Sequence, residues 1–184
     1  MIRTIDLERN DDVGSVLSSA EIRALIESET PLFQDYGDLG EQIQANGFDL
    51  RLGDVKRFSG PGTIGIDNIS RVLPELEPVE AGDDGWLHLA PGAYHITYAE
   101  TVTLPKSLMA LGRPRSSLGR SGVSIHTAVW DAGYSGRSTS LMVVYNPAGF
   151  RVQLGARVAQ LVFIELATED ELGYQGVYLG ENAR

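Results

Sequence analysis

Short alternations of apolar and polar residues recur along most of this chain, and they constrain its fold more than any other feature. Phe48 to Leu52 alternates in this way, as does Tyr94 to Tyr98; a two-residue period is typical of a strand with one buried face. Further β-branched or aromatic runs lie at 123–130, 141–145 and 158–166. Glycine and proline separate these runs, with no helical pattern between them. We therefore expect a mainly β fold: an antiparallel sandwich, a jelly roll or a barrel.

One helix precedes the strands. Ser18 and Glu21 have the spacing of a capping box, and an apolar stripe follows at Ile22, Leu25 and Ile26 before Pro31. This pattern predicts a short N-terminal helix that serves packing.

The length fits a single domain over residues 1–184. We expect a helical segment at about 18–30, a β core at about 45–167 and a short tail at 168–184. Residues 53–85 are rich in glycine, proline and acids, which predicts a long irregular excursion over the surface.

The composition excludes several classes of function. A formal net charge of −10 argues against sequence-independent binding to DNA or RNA, which depends on Lys and Arg at the phosphates. The chain has no cysteine, which excludes a thiol nucleophile and a Cys-ligated zinc site. No run approaches the roughly 20 apolar residues of a membrane span, and Met1 to Asp12 is charged rather than apolar. We expect a soluble, cytoplasmic protein that binds neither nucleic acid nor membrane.

Acidic residues are nearly absent from one long segment. Between Glu100 and Glu165 lie 64 residues with a single carboxylate, Asp131, where an even spread of the 25 acids would place about nine. The segment keeps seven basic residues, so its formal charge is +6 while the rest of the chain carries −16. Buried strands that exclude charge would explain the missing acids. A site for a polyanion would explain both the missing acids and the retained arginines.

Three of these arginines surround two serines at Arg113, Arg115, Ser116, Ser117 and Arg120. Arginine offers a planar fork of donors to phosphate oxygens, and serine hydroxyls add neutral donors. The cluster predicts phosphate binding without a Walker-type loop, whose pattern is absent.

Asp131 has two interpretations. Among positive charges it should stay ionised, as a catalytic base requires. The run Asp131-Ala132-Gly133 is equally typical of an ordinary turn.

At these residues the sequence resembles the superfamily of dUTP pyrophosphatases and dCTP deaminases, especially its archaeal dUTPase-like branch. The likeness runs from about Ala45 to the C-terminus through four motifs in order, at Asn46 to Leu50, Pro114 to Leu118, Ala128 to Gly136 and Gly155 to Leu161. Gly173 to Tyr178 resembles the tail of the archaeal and deaminase-like members. Each motif alone is weak, but four in order make a specific match.

The resemblance implies a distorted jelly-roll-like β-barrel or sandwich. It also implies a homotrimer with sites at subunit interfaces and Mg²⁺ bound through the substrate triphosphate. It implies that Asp131 is the base that activates the attacking water, and that Arg115, Ser116, Ser117, Arg120 and Gln160 hold the phosphates. The base and deoxyribose would lie against a hairpin from Val123 to Asp131, read by its backbone, and against Tyr134. The residues implied to contact them are Ile125, His126, Thr127, Ala128, Val129 and Tyr134.

Hydrolysis of dUTP to dUMP and pyrophosphate is the favoured activity. Deamination of dCTP needs, in the family, a glutamate about ten residues after the aspartate, where this chain has Leu141 or Val143. No acid occurs from Ala132 to Ile164, and an apolar side chain cannot transfer protons. The alternatives are a dCTP deaminase, a bifunctional enzyme, or a nucleotide-binding module without turnover.

Several residues have less certain roles. Asp49 would lie near metal-bound water or a subunit interface, or would pair structurally with an arginine. Tyr174 and Tyr178 would form a C-terminal lid. His126 is expected to be a structural histidine, with a general-acid role as the alternative. Trp130 is expected to be a packing residue rather than a platform for base stacking, and His88 and His95 are expected to be structural or exposed. No spacing of His, Asp or Glu indicates a metal ligated by the protein itself.

Overall fold

A computed structural model describes residues 15–182, and this part of the chain is mainly β. The expectation drawn from Met1 to Asp12 lies outside the described residues. The helices are α1 (Ser19–Ile26), α2 (Leu39–Gln42), α3 (Ser116–Arg120) and a 3-10 turn at Asn68–Ser70. The strands are β1 (Phe33–Gln34), β2 (Ile43–Gln44), β3 (Gly47–Ser59), β4 (Glu75–Pro78), β5 (Trp86–Leu89), β6 (Gly92–Tyr98), β7 (Thr101–Thr103), β8 (Leu108–Pro114), β9 (Val123–His126), β10 (Val129–Trp130), β11 (Ser135–Gly136), β12 (Thr139–Val144), β13 (Phe150–Gln153) and β14 (Arg157–Glu165).

The capping box at the start of α1 is confirmed. The Ser18 hydroxyl accepts from the Glu21 backbone N–H, and the Glu21 carboxylate accepts from the Ser18 N–H at 2.8 Å. The helix buries Ile22 and Ile26 against the sheet and ends at Ile26, earlier than Pro31 suggested. The Ser28 hydroxyl donates to the Leu25 carbonyl at 2.9 Å, which satisfies a terminal carbonyl in place of another helical N–H.

The main sheet is antiparallel and curled. Within residues 15–182 it has nine strands in the order β10-β8-β14-β3-β6-β12-β9, with β2 and β4 also paired to β3. Its end strands, β9 and β10, are separated in sequence only by Thr127 and Ala128. The sheet must therefore curl until its ends approach each other, and the hydroxyl of Thr127 bridges to the Gly112 carbonyl at 3.2 Å. The expected distorted β-barrel fold is confirmed.

Two smaller sheets close the remaining sides, β1-β7-β11 and β13-β5. The core between the sheets is aromatic and aliphatic. Phe33 stacks on Phe48 with ring centroids 3.9 Å apart, and Phe163 meets Phe33 edge-on. All three rings are buried, which anchors β1, β3 and β14 to one another.

The structure departs from two local expectations. The predicted irregular segment 53–85 is wrong at 53–59 and at 75–78, because β3 runs on to Ser59 and pairs with β4 and β6. Glycine and charged residues hid the strand alternation there, because the outer end of β3 is exposed. The segment from Val123 to Asp131 does not form a hairpin either. Strand β9 pairs with β12 whereas β10 pairs with β8, because the two strands close opposite ends of the curled sheet.

No helix among residues 15–182 is long and apolar enough to cross a membrane.

Candidate active site

A cavity of about 620 Å³ opens beside β10, and we call it the Asp131 pocket. Its size lies within the range of small-molecule sites. One wall comes from the segment around Asp131, and the opposite wall from β3, β4 and β6. The lining residues are Lys56, Phe58, Leu73, Pro74, Leu76, His95, Ala128, Val129, Trp130, Asp131, Tyr134, Ser138, Thr139, Tyr174, Tyr178, Glu181 and Asn182.

Asp131 is exposed in this wall, directly after β10. Its carboxylate has no hydrogen-bond or ion-pair partner among residues 15–182, so it is free to accept from a water molecule. Trp130, one residue earlier, is buried, and its indole N–H donates to the Ser138 hydroxyl at 2.9 Å. This bond holds the strand end that presents Asp131. Trp130 is thus the packing residue that the sequence predicted, although its ring also reaches the pocket.

The residues expected to contact the base and sugar divide into two groups. Ala128, Val129 and Tyr134 line the pocket. Ile125, His126 and Thr127 do not line the pocket. Ile125 is buried in the core, and His126 is exposed, with its Nε2 3.4 Å from the Tyr145 hydroxyl.

The C-terminal tail brings a carboxylate into the pocket that sequence reasoning missed. The Tyr134 hydroxyl donates to Glu181 Oε1 at 2.8 Å. Burial raises the pKa of Glu181, and the hydrogen bond from Tyr134 opposes that rise. Burial also raises the pKa of Tyr134, and Glu181 adds to the rise. No local pattern around Glu181 could have indicated this pairing, since the two residues are 47 positions apart.

The residues expected to form a lid also lie here. Tyr174 meets Tyr134 edge-on with centroids 5.7 Å apart. Tyr178 lines the pocket and is partly exposed, and the Arg71 guanidinium lies 5.6 Å from its ring centroid.

His95 is a second pocket residue that the sequence did not identify. It pairs in register with Lys56 across β6 and β3, and both side chains line the pocket. Burial lowers the pKa of His95, and the neighbouring Lys56 charge lowers it further. Its Nδ1 is buried without a hydrogen-bond partner among the described residues. The alternation of strand residues could have shown that His95 and Tyr94 face opposite sides of the sheet. It could not have shown that the side of His95 faces the pocket.

The first, second and fourth motifs meet elsewhere, at what we call the arginine–aspartate cluster, formed by Asp49, Arg115 and Arg157. Asp49 is buried on β3, and its Oδ2 lies 3.0 Å from Arg115 Nε and 3.8 Å from Arg157 Nη1. Burial raises the pKa of the Asp49 carboxyl, and the two arginine charges oppose that rise. The arginine pairing that the sequence left open for Asp49 is present in this cluster.

The other expected phosphate-binding residues surround this cluster. Ser116, Ser117 and Arg120 are exposed on α3, directly after Arg115. Gln160 pairs in register with Asp49 on β3 and with Arg113 on β8. Gly47 lies against Gln160, and a Cβ at Gly47 would come within 2.3 Å of the Leu161 carbonyl oxygen; this close approach requires glycine.

The two groups of expected site residues lie far apart within one chain. Trp130 pairs with Ala110 near the start of β8, whereas Arg115 follows the other end of that strand. Arg115 lies five positions beyond Ala110 along extended strand, which is about 17 Å. None of Arg115, Ser116, Ser117, Arg120 and Gln160 lines the Asp131 pocket.

The seven basic residues of the acid-poor segment do not form one patch. Arg137 pairs with Asp35 at 2.7 Å, Arg151 lies over the Trp86 ring, and the Lys106 ammonium donates to the Glu171 carbonyl. The other four, Arg113, Arg115, Arg120 and Arg157, lie around the end of β8. The basic residues of the acid-poor segment are therefore of two kinds: three with structural contacts and four that form a local basic surface.

Within the described range 15–182, no group of three or more His, Asp or Glu side chains is placed to hold a metal ion.

A family profile and the similar archaeal proteins place this chain in the same family. Residues 16–166 match the profile of the family described as dCTP deaminase-like. A Methanosarcina mazei protein named probable deoxyuridine 5'-triphosphate nucleotidohydrolase is 49% identical over 168 residues, covering 91% of this chain and 98% of that protein. An Archaeoglobus fulgidus protein of the same name is 50% identical with the same coverage.

The fold has a solved counterpart. The dCTP deaminase of Agrobacterium tumefaciens superposes with a TM-score of 0.62 at 24% identity, over 83% of this chain. This chain spans about half of that protein, 49% of its length. The likeness supports the curled antiparallel fold, and the sequence matches extend across the strands that carry both the Asp131 pocket and the arginine–aspartate cluster. The chain therefore belongs to the dCTP deaminase-like family.

Proposed function

We propose that this protein hydrolyses dUTP to dUMP and pyrophosphate, with Asp131 as the general base. The observation that carries the proposal is the Asp131 carboxylate itself, which is exposed in the wall of a nucleotide-sized pocket and has no partner among residues 15–182. The archaeal relatives, at 49% and 50% identity, are named for this reaction.

In this mechanism, the oxygen of a water molecule attacks the α-phosphorus while Asp131 accepts a proton from that water. The bond from that phosphorus to the oxygen bridging to the β-phosphorus breaks, and pyrophosphate leaves with the bonding pair. A positioned carboxylate contributes to such a step by orienting the water and taking its proton. The Trp130–Ser138 hydrogen bond keeps Asp131 in place.

Recognition of the nucleoside uses the same wall. Ala128 and Val129 border the pocket and are exposed, and the edge of the uracil would lie against this part of the backbone. Tyr134, three residues after Asp131, would contact the deoxyribose. Tyr174 and Tyr178 also line the pocket and would form the aromatic part of a tail that covers the bound nucleotide.

The phosphates would be held by the basic surface of another subunit. Arg115, Ser116, Ser117, Arg120 and Gln160 form that surface. It lies about 17 Å along β8 from the strand end that presents Asp131, and none of its residues lines the Asp131 pocket of the same chain, which supports a site shared between subunits. We infer that the active form is a homotrimer in which one subunit's Asp131 pocket faces the next subunit's arginine–aspartate cluster. Closed cyclic assemblies of this kind repeat one interface.

Magnesium fits this arrangement as part of the substrate. The described residues include no ligand set of three acids or histidines, and the buried oxygen of Asp49 faces two arginines, which is an unfavourable place for a cation. A Mg²⁺ ion chelated by the triphosphate would neutralise charge on the leaving pyrophosphate. We assign Asp49 to positioning Arg115, not to binding metal-bound water.

The test is incubation of the purified protein with Mg²⁺ and dUTP, and separately with dCTP, with products resolved by chromatography. We expect dUMP and pyrophosphate from dUTP and no change in dCTP. Formation of dUTP or dUMP from dCTP would show deamination, with Glu181 as the candidate second carboxylate. Intact nucleotide in both reactions, together with retained dUTP binding by calorimetry, would identify a binding module without turnover.

A further inference from the structure

The C-terminal tail from Gly173 to Asn182 is docked on the segment that follows Asp131. Four hydrogen bonds join the two segments along the length of the tail. The donors and acceptors are Tyr174 N–H to the Ala132 carbonyl at 2.7 Å, Gly180 N–H to the Ser135 carbonyl at 2.7 Å, Arg137 N–H to the Glu181 carbonyl at 2.9 Å, and the Asn182 side-chain amide to the Arg137 carbonyl at 2.9 Å. Three of these bonds join backbone to backbone, so the tail is held at a defined register.

Two glycines make this close docking possible. A Cβ at Gly133 would lie 2.9 Å from Gly173 Cα, and a Cβ at Gly136 would lie 2.9 Å from the Tyr134 hydroxyl and 3.1 Å from the Glu181 nitrogen. The surface that receives the tail is therefore shaped for it.

The docked tail immobilises the Tyr134 ring. Glu181 accepts from its hydroxyl, Tyr174 packs against it edge-on, and the side chain is only 5% exposed. The ring nevertheless forms part of the wall of the Asp131 pocket. An aromatic ring tied at its hydroxyl and packed at its edge cannot turn away from a ligand without breaking these contacts.

We propose that Glu181 is a positioning residue: by locking Tyr134 in place, it determines how sharply the site discriminates deoxyribose from ribose. The inference rests on the proposed function. In that reaction the attacked α-phosphorus lies beside Asp131, and the sugar is attached to it through the 5'-oxygen. Tyr134 lies three residues beyond Asp131 and lines the same pocket, so a sugar joined to that phosphorus would be within reach of its ring.

Rigidity matters because the two sugars differ by one hydroxyl. A mobile ring could shift to admit the 2'-hydroxyl of a ribonucleotide at little cost, whereas a fixed ring would exclude it by steric overlap. The pairing is stable in the required form, since burial and the adjacent Glu181 raise the pKa of Tyr134 and so keep its hydroxyl protonated as the donor.

The experiment compares kcat/KM for dUTP with kcat/KM for UTP in the full-length protein and four variants. Glu181→Ala removes the acceptor, and Glu181→Gln retains an amide oxygen that can accept from Tyr134. Tyr134→Phe removes the donor, and the double variant E181A/Y134F tests coupling. Glu171→Ala is a matched control, because it removes an exposed acid that lies two residues before the docked tail. Thermal unfolding of each variant verifies that it folds.

We expect the dUTP/UTP ratio to fall about tenfold in E181A, the scale of losing one hydrogen bond to a charged group. The ratio should fall equally in Y134F, fall no further in the double variant, and stay within about twofold of the unmodified protein in E181Q and E171A. A tail that only covers the pocket predicts a different result, namely a KM raised equally for both nucleotides with an unchanged ratio.

An unchanged ratio in E181A would overturn the inference, and so would an E181Q ratio as low as that of E181A. Both results would leave the proposed function intact, since dUTP would still be hydrolysed. Absence of dUTP hydrolysis in the unmodified protein would instead reject the proposed function.

Discussion

Arg115 Nε lies 3.0 Å from Oδ2 of the buried Asp49, so the aspartate of the first motif holds the arginine of the second. Arg157 approaches the same oxygen at 3.8 Å from the fourth motif. A guanidinium that is oriented before the substrate arrives loses less entropy when it binds a phosphate. The ion pair therefore prepares the basic surface that we assign to the triphosphate.

Asp49→Asn tests this preparation. We expect kcat for dUTP to fall about tenfold, because the arginine is no longer aligned for the developing charge, while nucleotide affinity changes little because both cations remain. Steady-state kinetics and calorimetry separate the two quantities. Glu77→Gln, an exposed acid on β4, is the control that loses the same charge. A rise in KM alone, with kcat unchanged, would contradict the positioning role.

Asp131→Asn should abolish hydrolysis while preserving binding. The amide cannot take a proton from water, so we expect kcat to fall by at least about a hundredfold, the scale of a lost general base. The dissociation constant for dUTP should stay within about threefold, since the substitution keeps shape and polarity. Activity close to that of the unmodified protein would remove Asp131 from the mechanism.

Mixing two inactive variants tests whether the site is shared. D131N lacks the base and Arg115→Ala lacks the phosphate ligand, so neither should be active alone. If sites form between subunits, refolding an equal mixture should restore about a quarter of the sites, those that combine an intact Asp131 with an intact Arg115. Activity that does not return on mixing would argue that each chain carries a complete site.

Gly133→Ala should release the tail. The residue has φ of 81° and would place a Cβ 2.9 Å from Gly173, whereas Gly155 has φ of 82° with open space around it. Alanine at either position costs about 1 kcal/mol of backbone strain. Gly133→Ala should lower the stability of the protein more than Gly155→Ala does, and it should make residues 173–182 more sensitive to limited proteolysis. Equal effects in the two variants would show that the tail does not depend on this contact.

The stability of the fold should depend on pH through His95. Because its pKa is lowered from 6.5 by burial and by Lys56, the unfolded chain binds a proton there at a higher pH than the folded chain does. Its contribution to stability is present above pH 6.5 and is lost as the pH falls below that value. Urea unfolding between about pH 5 and about pH 7.5 should show a flatter dependence in His95→Gln. His88→Gln, at an exposed position, should keep the slope of the unmodified protein.

Much of the architecture follows from local patterns. The Ser18 capping box, the alternation in β3 and β6, and the apolar run of β14 each predict an element that the structure contains. The predictions failed where a strand's neighbours decide its course. β3 continues through Ser59 because β4 and β6 pair with it. The expected hairpin after Val123 is instead split between the two ends of the sheet.

The sequence by itself determined the β class, the family, and the position of Asp131 as the lone acid in a basic segment. These properties depend on residue type and on contacts between near neighbours, which a linear pattern records. Only the tertiary structure decided that Glu181 lies against Tyr134, that His95 faces the pocket, and that Asp131 and Arg115 lie at opposite ends of β8. Those relationships join residues far apart in the chain, and they arise from how the sheet curls and where the tail docks, which no local periodicity encodes.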